Sequence, residues 1–357
     1  MTAAAHPNPR LASDLAPELR RTTVPPAVRA WIGRETGSAV ASARRLVGAS
    51  TTAVHRVGLV DGRRLVLRRY AWPGCLAVDP DASRREVDAL WFAGQQGLPV
   101  PDMVAADVTG ADVGDGVPAV LMSMLRGRAV VVPDVRALAE VVAQVHAVDA
   151  APFGHVYYCW CVGDMDGPPP DARRPWLWER AVEVWHTAMP EYRPVFIHRD
   201  FHPGNVLWAR GRCTGIVDWP EACRGPAGCD VAHCRSELIR LAGISVADGF
   251  SDAYEAITGE PHHPYWEIAS VMEHGPSHWN AGNLVQAERR LAIGRAAMGV
   301  RTSPKRTAAR AALGGTGATA SYCPAASHTP TGASAEPAGA TDPIYGVQPV
   351  QPKPAAG

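Results

Sequence analysis

Three polar residues, Asp200, Asn205 and Asp218, stand at a spacing that could serve the transfer of a phosphoryl group. Residues 195–208 read VFIHRDFHPGNVLW, so an apolar strand delivers His198-x-Asp200 and Asn205 follows five residues later. A second strand, residues 206–208, turns at Arg210-Gly211-Arg212, and a third ends on Asp218. One carboxylate can take or orient the proton of an acceptor hydroxyl. An amide oxygen and a second carboxylate can hold Mg²⁺ against the phosphates of ATP. A hairpin and its loop can fix three such groups close together. Asp and Asn also favour turns for local hydrogen-bonding reasons. The apolar β-type runs on both sides, and the placement of Asp218 thirteen residues after Asn205, favour the chemical account.

A nucleotide needs further elements. Residues 65–68, Leu-Val-Leu-Arg, alternate as a strand, so Val66 and Arg68 share a face. Val66 is placed to roof the adenine and Arg68 to reach the phosphates, with Arg69 as the register alternative. Glu86, on the next helix, is the natural partner for Arg68, although Ser83 and Glu86 also spell a capping box. A phosphate-covering loop is expected at residues 48–53, where Ser50 and Thr51 offer hydroxyls and amides. The linker at Ser123 and Met124 is expected to give adenine its backbone groups.

The 357 residues carry a formal net charge of zero and 46% hydrophobic residues, which gives no global argument for nucleic acid or an anionic membrane as partner. No signal-peptide pattern opens the sequence and no apolar run approaches a membrane span, so a soluble cytoplasmic protein is expected. The oligomeric state is not encoded in any feature of the sequence. Eight cysteines suggest free thiols. The group Cys213, Cys223, Cys229, His233 and Cys234 fits no usual zinc spacing, and packed cysteines are expected there rather than a zinc module.

Residues 1–40 read as a helical lead-in, with Pro25-Pro26 at the start of a helix and Gly33 as its stop. Residues 41–125 read as a strand-rich lobe, with a hairpin across Asp61-Gly62, a helix at 83–95 and a strand at 118–125. Residues 126–302 read as mostly helical, including a helix capped by Asp134 and ending near His146, and helices at 230–241 and 266–299. The Ala-, Gly-, Pro-, Ser- and Thr-rich residues 303–357 read as disordered. The expected fold class is α+β and two-lobed, a small antiparallel β lobe before a larger helical one.

With those residues in place, the sequence resembles the aminoglycoside phosphotransferase family, small-molecule kinases that share the protein-kinase fold. The likeness spans about residues 45–300 and rests on residues 65–68, 198–208, 216–219 and 225–232. The resemblance implies that Asp200 is the catalytic base and that Asn205 and Asp218 bind magnesium. It also implies that His198 fixes the loop, with His202 supporting, and that Asp230 is structural; locally Asp230 reads as a helix N-cap. Two departures stand out: Arg199 where the family commonly has Gly, and Arg68 in place of Lys. There is no Ala-Pro-Glu after Asp218, so protein kinase activity is not expected.

The implied acceptor is a small hydroxyl compound: an aminoglycoside-like antibiotic, an amino alcohol or a sugar. Residues 151–195 hold six acids against four arginines, too small an excess to demand a polycation. Aromatics of that segment could stack on an acceptor, and Glu267 and Glu273 could add acids if they are not solvated. The rival expectation is an idle nucleotide-binding regulator, which the intact Asp200, Asn205 and Asp218 disfavour.

Overall fold

The computed structural model describes residues 23–46, 51–158, 167–273 and 284–297. Ser50 and residues 303–357 lie outside the described residues, as do Trp160, Asp164 and Asp166 of the acceptor segment.

Helix α1, Pro26–Thr36, starts at the expected proline but runs through Gly33 and stops at Gly37, where φ is 67°. Val28, Trp31 and Ile32 are buried on one face, and that packing carries the helix past a single unfavourable glycine. The left-handed stop belongs to Gly37, a conformation glycine adopts without steric cost.

Five strands form one antiparallel sheet: β1 (Val40–Arg45), β2 (Ala53–Leu59), β3 (Arg64–Arg69), β4 (Met103–Asp107) and β5 (Ala119–Ser123), in the order β1-β2-β3-β5-β4. The expected hairpin joins β2 to β3 in a register running from Ala53 opposite Arg69 to Gly58 opposite Arg64. Strand β3 is therefore flanked on both sides, by β2 and β5, which fixes the direction of each side chain on it. A short helix, α2 (Pro73–Val78), precedes α3 (Ala82–Gln95). The capping box is not formed. Ser83 lies inside α3 with its hydroxyl on Val108 O at 3.2 Å, and Asp81 at the N-cap makes no side-chain bond. Glu86 is thereby free to face the sheet.

The helical half begins with β6 (Arg128–Ala129) and α4 (Val135–His146), which Asp134 caps as expected by accepting from Ala137 N at 2.8 Å. Helix α5 (Pro175–Thr187) precedes β7 (Pro194–Ile197). The hairpin β8 (Val206–Ala209) and β9 (Arg212–Ile216) follows, then β10 (Cys223–Pro226), α6 (Ala227–Ala242), α7 (Ile244–Thr258), α8 (Tyr265–Met272) and α9 (Leu284–Ala297). β7 pairs with β10, and β8 lies between β6 and β9. The turn between β8 and β9 uses positive φ at Arg210 (51°) and Gly211 (73°), which suits a tight hairpin.

An aromatic cluster backs the loop. Phe92, Phe153 and Phe196 place their rings about 5.0 Å apart, and Trp219 stacks on Phe196 at 5.5 Å. Phe153, Trp178 and Trp185 of the aromatic segment are thus core residues. Burying side chains of this size contributes about 2–3 kcal/mol each. Cys213, Cys223, Cys229 and Cys234 are free thiols, and none belongs to a cluster of metal-ligating groups among the described residues. No described helix is long and apolar enough to cross a membrane.

Candidate active site

The loop after β7 is fixed from beneath. β7 buries Val195, Phe196 and Ile197, and Asp230, fully buried, accepts from the backbone amides of His198 (2.8 Å) and Arg199 (2.5 Å). His146 Nε2 donates to the same carboxylate at 3.0 Å, and Tyr254 donates to His146 Nδ1 at 2.7 Å. Asp230 is therefore no N-cap. It sits in the first turn of α6, behind Pro226, and its partners belong to the loop. Its structural part, implied by the resemblance, is carried out by holding two amides.

Those amides need holding because Arg199 has φ 69°, a left-handed conformation that costs a side-chain-bearing residue about 1–2 kcal/mol. Its guanidinium is buried, donates to Tyr158 O, lies 3.5 Å from Glu273 and covers the rings of Tyr157 and Tyr158. Glu273 also accepts from the Tyr157 hydroxyl. Glu267 is buried against Arg235 (2.5 Å) and His262 (3.1 Å). Neither acid is on a solvated face, and both are engaged within the fold.

Asp200, Asn205 and Asp218 come together as the spacing demands. Asn205 sits at the end of a 3₁₀ turn, Pro203–Asn205. Its Nδ2 donates to Asp200 O (2.9 Å) and Asp200 Oδ2 (3.0 Å), and its Oδ1 takes part in neither bond. Asn205 O accepts from Val217 N at 2.9 Å, and His198 Nε2 donates to Val217 O at 3.0 Å. His198 thus ties the loop to the segment bearing Asp218. Asp218 itself has φ 74°, and Trp219 anchors that bend by donating from Nε1 to Ile216 O at 2.9 Å.

On the sheet side, Arg68 Nη1 lies 2.7 Å from Asp218 Oδ1 and its Nε 3.2 Å from Glu86 Oε1. Thr52 accepts from the same guanidinium at 3.4 Å, and Tyr70 donates to Glu86 Oε2 at 2.7 Å. Arg69 points to the other face and pairs with Asp115 at 2.6 Å, which decides the register in favour of Arg68. Burial alone would lower the Arg68 pKa, but Asp218 and then Glu86 hold it above the ordinary arginine value. Glu86 is pushed up by burial, with Arg68 opposing.

The two sides meet at a cavity of about 510 Å³, lined by Thr51, Thr52, Arg68, Asp200, Asn205 and Asp218 among others. That is within the size range of small-ligand pockets. His202 and Glu221 also line it. His202 Nδ1 accepts from Gly204 N at 3.1 Å, and its Nε2 stands 3.9 Å from Asp200 Oδ2. Burial would raise the Asp200 carboxyl, yet the hydrogen bond and charge of His233, followed by His202, hold it well below the usual carboxylate range. Burial pushes Glu221 up to about 7.

Ser123 and Met124 do not line this cavity, and their amides are already used: Ser123 N donates to Asp102 O (2.8 Å) and Met124 N to Arg64 O (3.3 Å). The next amide along is that of Leu125, past the end of β5. Sequence reasoning placed Thr52 in the expected phosphate loop but missed Tyr70 and Glu221 as neighbours of the site, and treated His233 only as one of a cysteine group. Asn205 and Asp218 both line the cavity, and an amide oxygen with a carboxylate is a hard-oxygen donor set that suits Mg²⁺.

The fold is that of the protein-kinase-like phosphotransferases. A macrolide 2'-phosphotransferase type I superimposes with a TM-score of 0.52 at 21% identity, covering 77% of this chain and 98% of its own. A thermostable mutant of the aminoglycoside phosphotransferase APH(4)-Ia in its apo form gives 0.55 at 18% identity, covering 76% and 100%. Another thermostable mutant of that enzyme, in ternary complex with ADP and hygromycin B, gives 0.54 at 16%, covering 76% and 98%. Identities this low speak for the fold alone. None of the curated protein sequences matches the chain. The family itself is settled by sequence: the model of the phosphotransferase enzyme family matches residues 43–267, well over half of the chain, and the protein belongs to that family.

Proposed function

We propose that this protein transfers the γ-phosphoryl group of Mg·ATP to a hydroxyl of a small molecule. One observation carries the proposal: Asp200 and Asp218 line the same cavity, the first bonded to Asn205 and the second paired with Arg68. In this assignment Asp200 orients and accepts the proton of the acceptor hydroxyl. Asn205 and Asp218 hold the magnesium, which when bound neutralises charge on the β- and γ-phosphates. Arg68, steadied by Glu86, draws the phosphates, and Ser50, Thr51 and Thr52 cover them with hydroxyls and amides. Adenine lies beyond that cavity, along the linker of Ser123 and Met124, with the amide of Leu125 as donor in place of their two engaged amides. His198 keeps the loop in place, and His202 faces the acceptor. The acceptor is of the aminoglycoside-like, amino-alcohol or sugar class, and the reaction takes place in the cytoplasm.

The test is ADP release from Mg·ATP across aminoglycosides, macrolides, amino alcohols and sugars, with Asp200→Asn as blank. Release above the blank with one class identifies the acceptor. Release at blank level for every compound, with water-driven hydrolysis equally low, would sink the assignment and leave a nucleotide-binding regulator.

A further inference from the structure

Asp200 is held from a direction that the transfer assignment does not use. His233, on α6, brings its Nε2 to 3.0 Å from Asp200 Oδ1, while Asn205 Nδ2 takes the opposite oxygen at 3.0 Å. The terminal torsion of an aspartate is broad and two-fold, so one contact leaves the carboxylate free to swing. Contacts on both oxygens fix its plane. His233 follows Asp230 by three residues, so the two share a face of α6. One helical turn therefore delivers both the group that holds the loop's backbone and a group that holds its functional carboxylate.

A metal ion is the competing account. Asp200, His202 and His233 bring one ligand atom each within 4.8 Å of one another, the make-up of a two-histidine, one-carboxylate site. His202 argues against it. Its Nδ1 accepts from Gly204 N, so the neutral ring carries its proton on Nε2, the nitrogen that a metal would need bare. A ligating imidazole donates from its outer nitrogen to an acceptor, and here that nitrogen faces a donor.

We propose that His233 is a positioning residue for phosphoryl transfer, locking the Asp200 carboxylate so that its remaining lone pairs face the acceptor hydroxyl. The proposal rests on the assignment of Asp200 as base. The raised pKa of His233, where burial is the largest single influence but the hydrogen bond and charge of Asp200 together outweigh it, agrees with a standing contact.

The experiment compares His233→Ala, His233→Gln and Asp200→Asn, using the acceptor found by ADP release. Because small misplacement of a reacting group costs up to about a hundredfold in rate, His233→Ala is expected to lower kcat roughly ten- to a hundredfold with KM for ATP unchanged. His233→Gln keeps an N–H near the position of Nε2 and is expected to restore most of the loss. In imidazole NMR spectra, the Nε2 proton of His233 should resonate at low field in the parent and lose that signature in Asp200→Asn. If Asp200→Asn is inactive while His233→Ala turns over like the parent, the role of His233 falls and the transfer assignment stands. If Asp200→Asn turns over like the parent, both fall together. Equal losses in the Ala and Gln variants, with lowered Tm in each, would make His233 a structural residue only.

Discussion

Asp218 and Asp200 line one cavity but keep different company. Asp218 meets a permanent cation, Arg68, which is buried and itself braced by Glu86 and, through Glu86, by Tyr70. Asp200 meets an amide and two imidazoles, whose charge, unlike that of Arg68, depends on pH. The contrast suits two tasks. A group that holds metal and phosphate gains from a charge balance that pH does not alter. A group that exchanges a proton gains from neighbours that orient it without a fixed opposing charge. The same α+β frame supplies both, the first from a strand and helix of the sheet half, the second from α6 of the helical half.

The contrast breaks most visibly at the carboxylates. Asp200→Asn should cut turnover by roughly 10²–10⁴-fold, the usual contribution of a positioned base, while the magnesium dependence of nucleotide binding stays as in the parent. Asp218→Asn should instead raise the magnesium needed for binding, measured by nucleotide titration at several metal concentrations. If both variants shift the metal requirement alike, the division of labour is wrong. Arg68→Lys sharpens the sheet side. It keeps the charge but loses the planar fork that spans Glu86 and Asp218. A lowered Tm, equivalent to about 1–3 kcal/mol for a buried charge left half-paired, and a raised KM for ATP are expected. Equal Tm and KM in the two proteins would mean that the fork is dispensable.

Arg199→Gly tests the loop beside Asp200. Glycine relieves the left-handed φ by about 1–2 kcal/mol, but it strips Glu273 of its buried cation and frees Tyr157 and Tyr158. The net change in a denaturant melt should be a loss, and a more stable variant would show that backbone strain outweighs the anchor. The smallest effect is expected at Glu221. Its folded pKa of about 7 lies above the ordinary glutamate value of 4.5, so the folded state binds the proton more tightly and stability falls as pH rises through that window. Glu221→Gln should stabilise the protein at pH 8 and leave it unchanged near pH 4. A parallel offset at both pH values would assign the effect to packing.

What the sequence disclosed and what it withheld follow from distance along the chain. Asp200, Asn205 and Asp218 occupy one loop and hairpin, so their spacing alone places them together. Strand alternation put Arg68 and Arg69 on opposite faces but left Arg69 as an alternative, and only the pairing of Arg69 with Asp115 separates them. Glu86 carried two incompatible roles in the sequence. Only the docking of Ser83 onto Val108 released it from the helix start. His233 and Asp230 reach Asp200 and the loop across some thirty residues, a relation that no local pattern records. Helix α7 went unread although Ala247, Phe250, Ser251 and Tyr254 bury at helical spacing, because small and polar residues dilute that stripe. The edge strands β1 and β4 are short, and β1 is polar, so neither showed the apolar alternation that marks a strand.

Val217 shows how a position can matter beyond its side chain. Its N–H donates to Asn205 O and its C=O accepts from His198, so the backbone on either side of this residue joins the segment bearing Asp218 to the loop bearing Asp200. Replacing the isopropyl group by a methyl leaves both bonds intact. An alanine scan of the cleft would therefore leave this link untouched, whereas proline, which removes the N–H, or an ester in place of the amide would break the bond to Asn205 and leave only the one from His198. Surveys that score only side chains will undercount the machinery of this cleft.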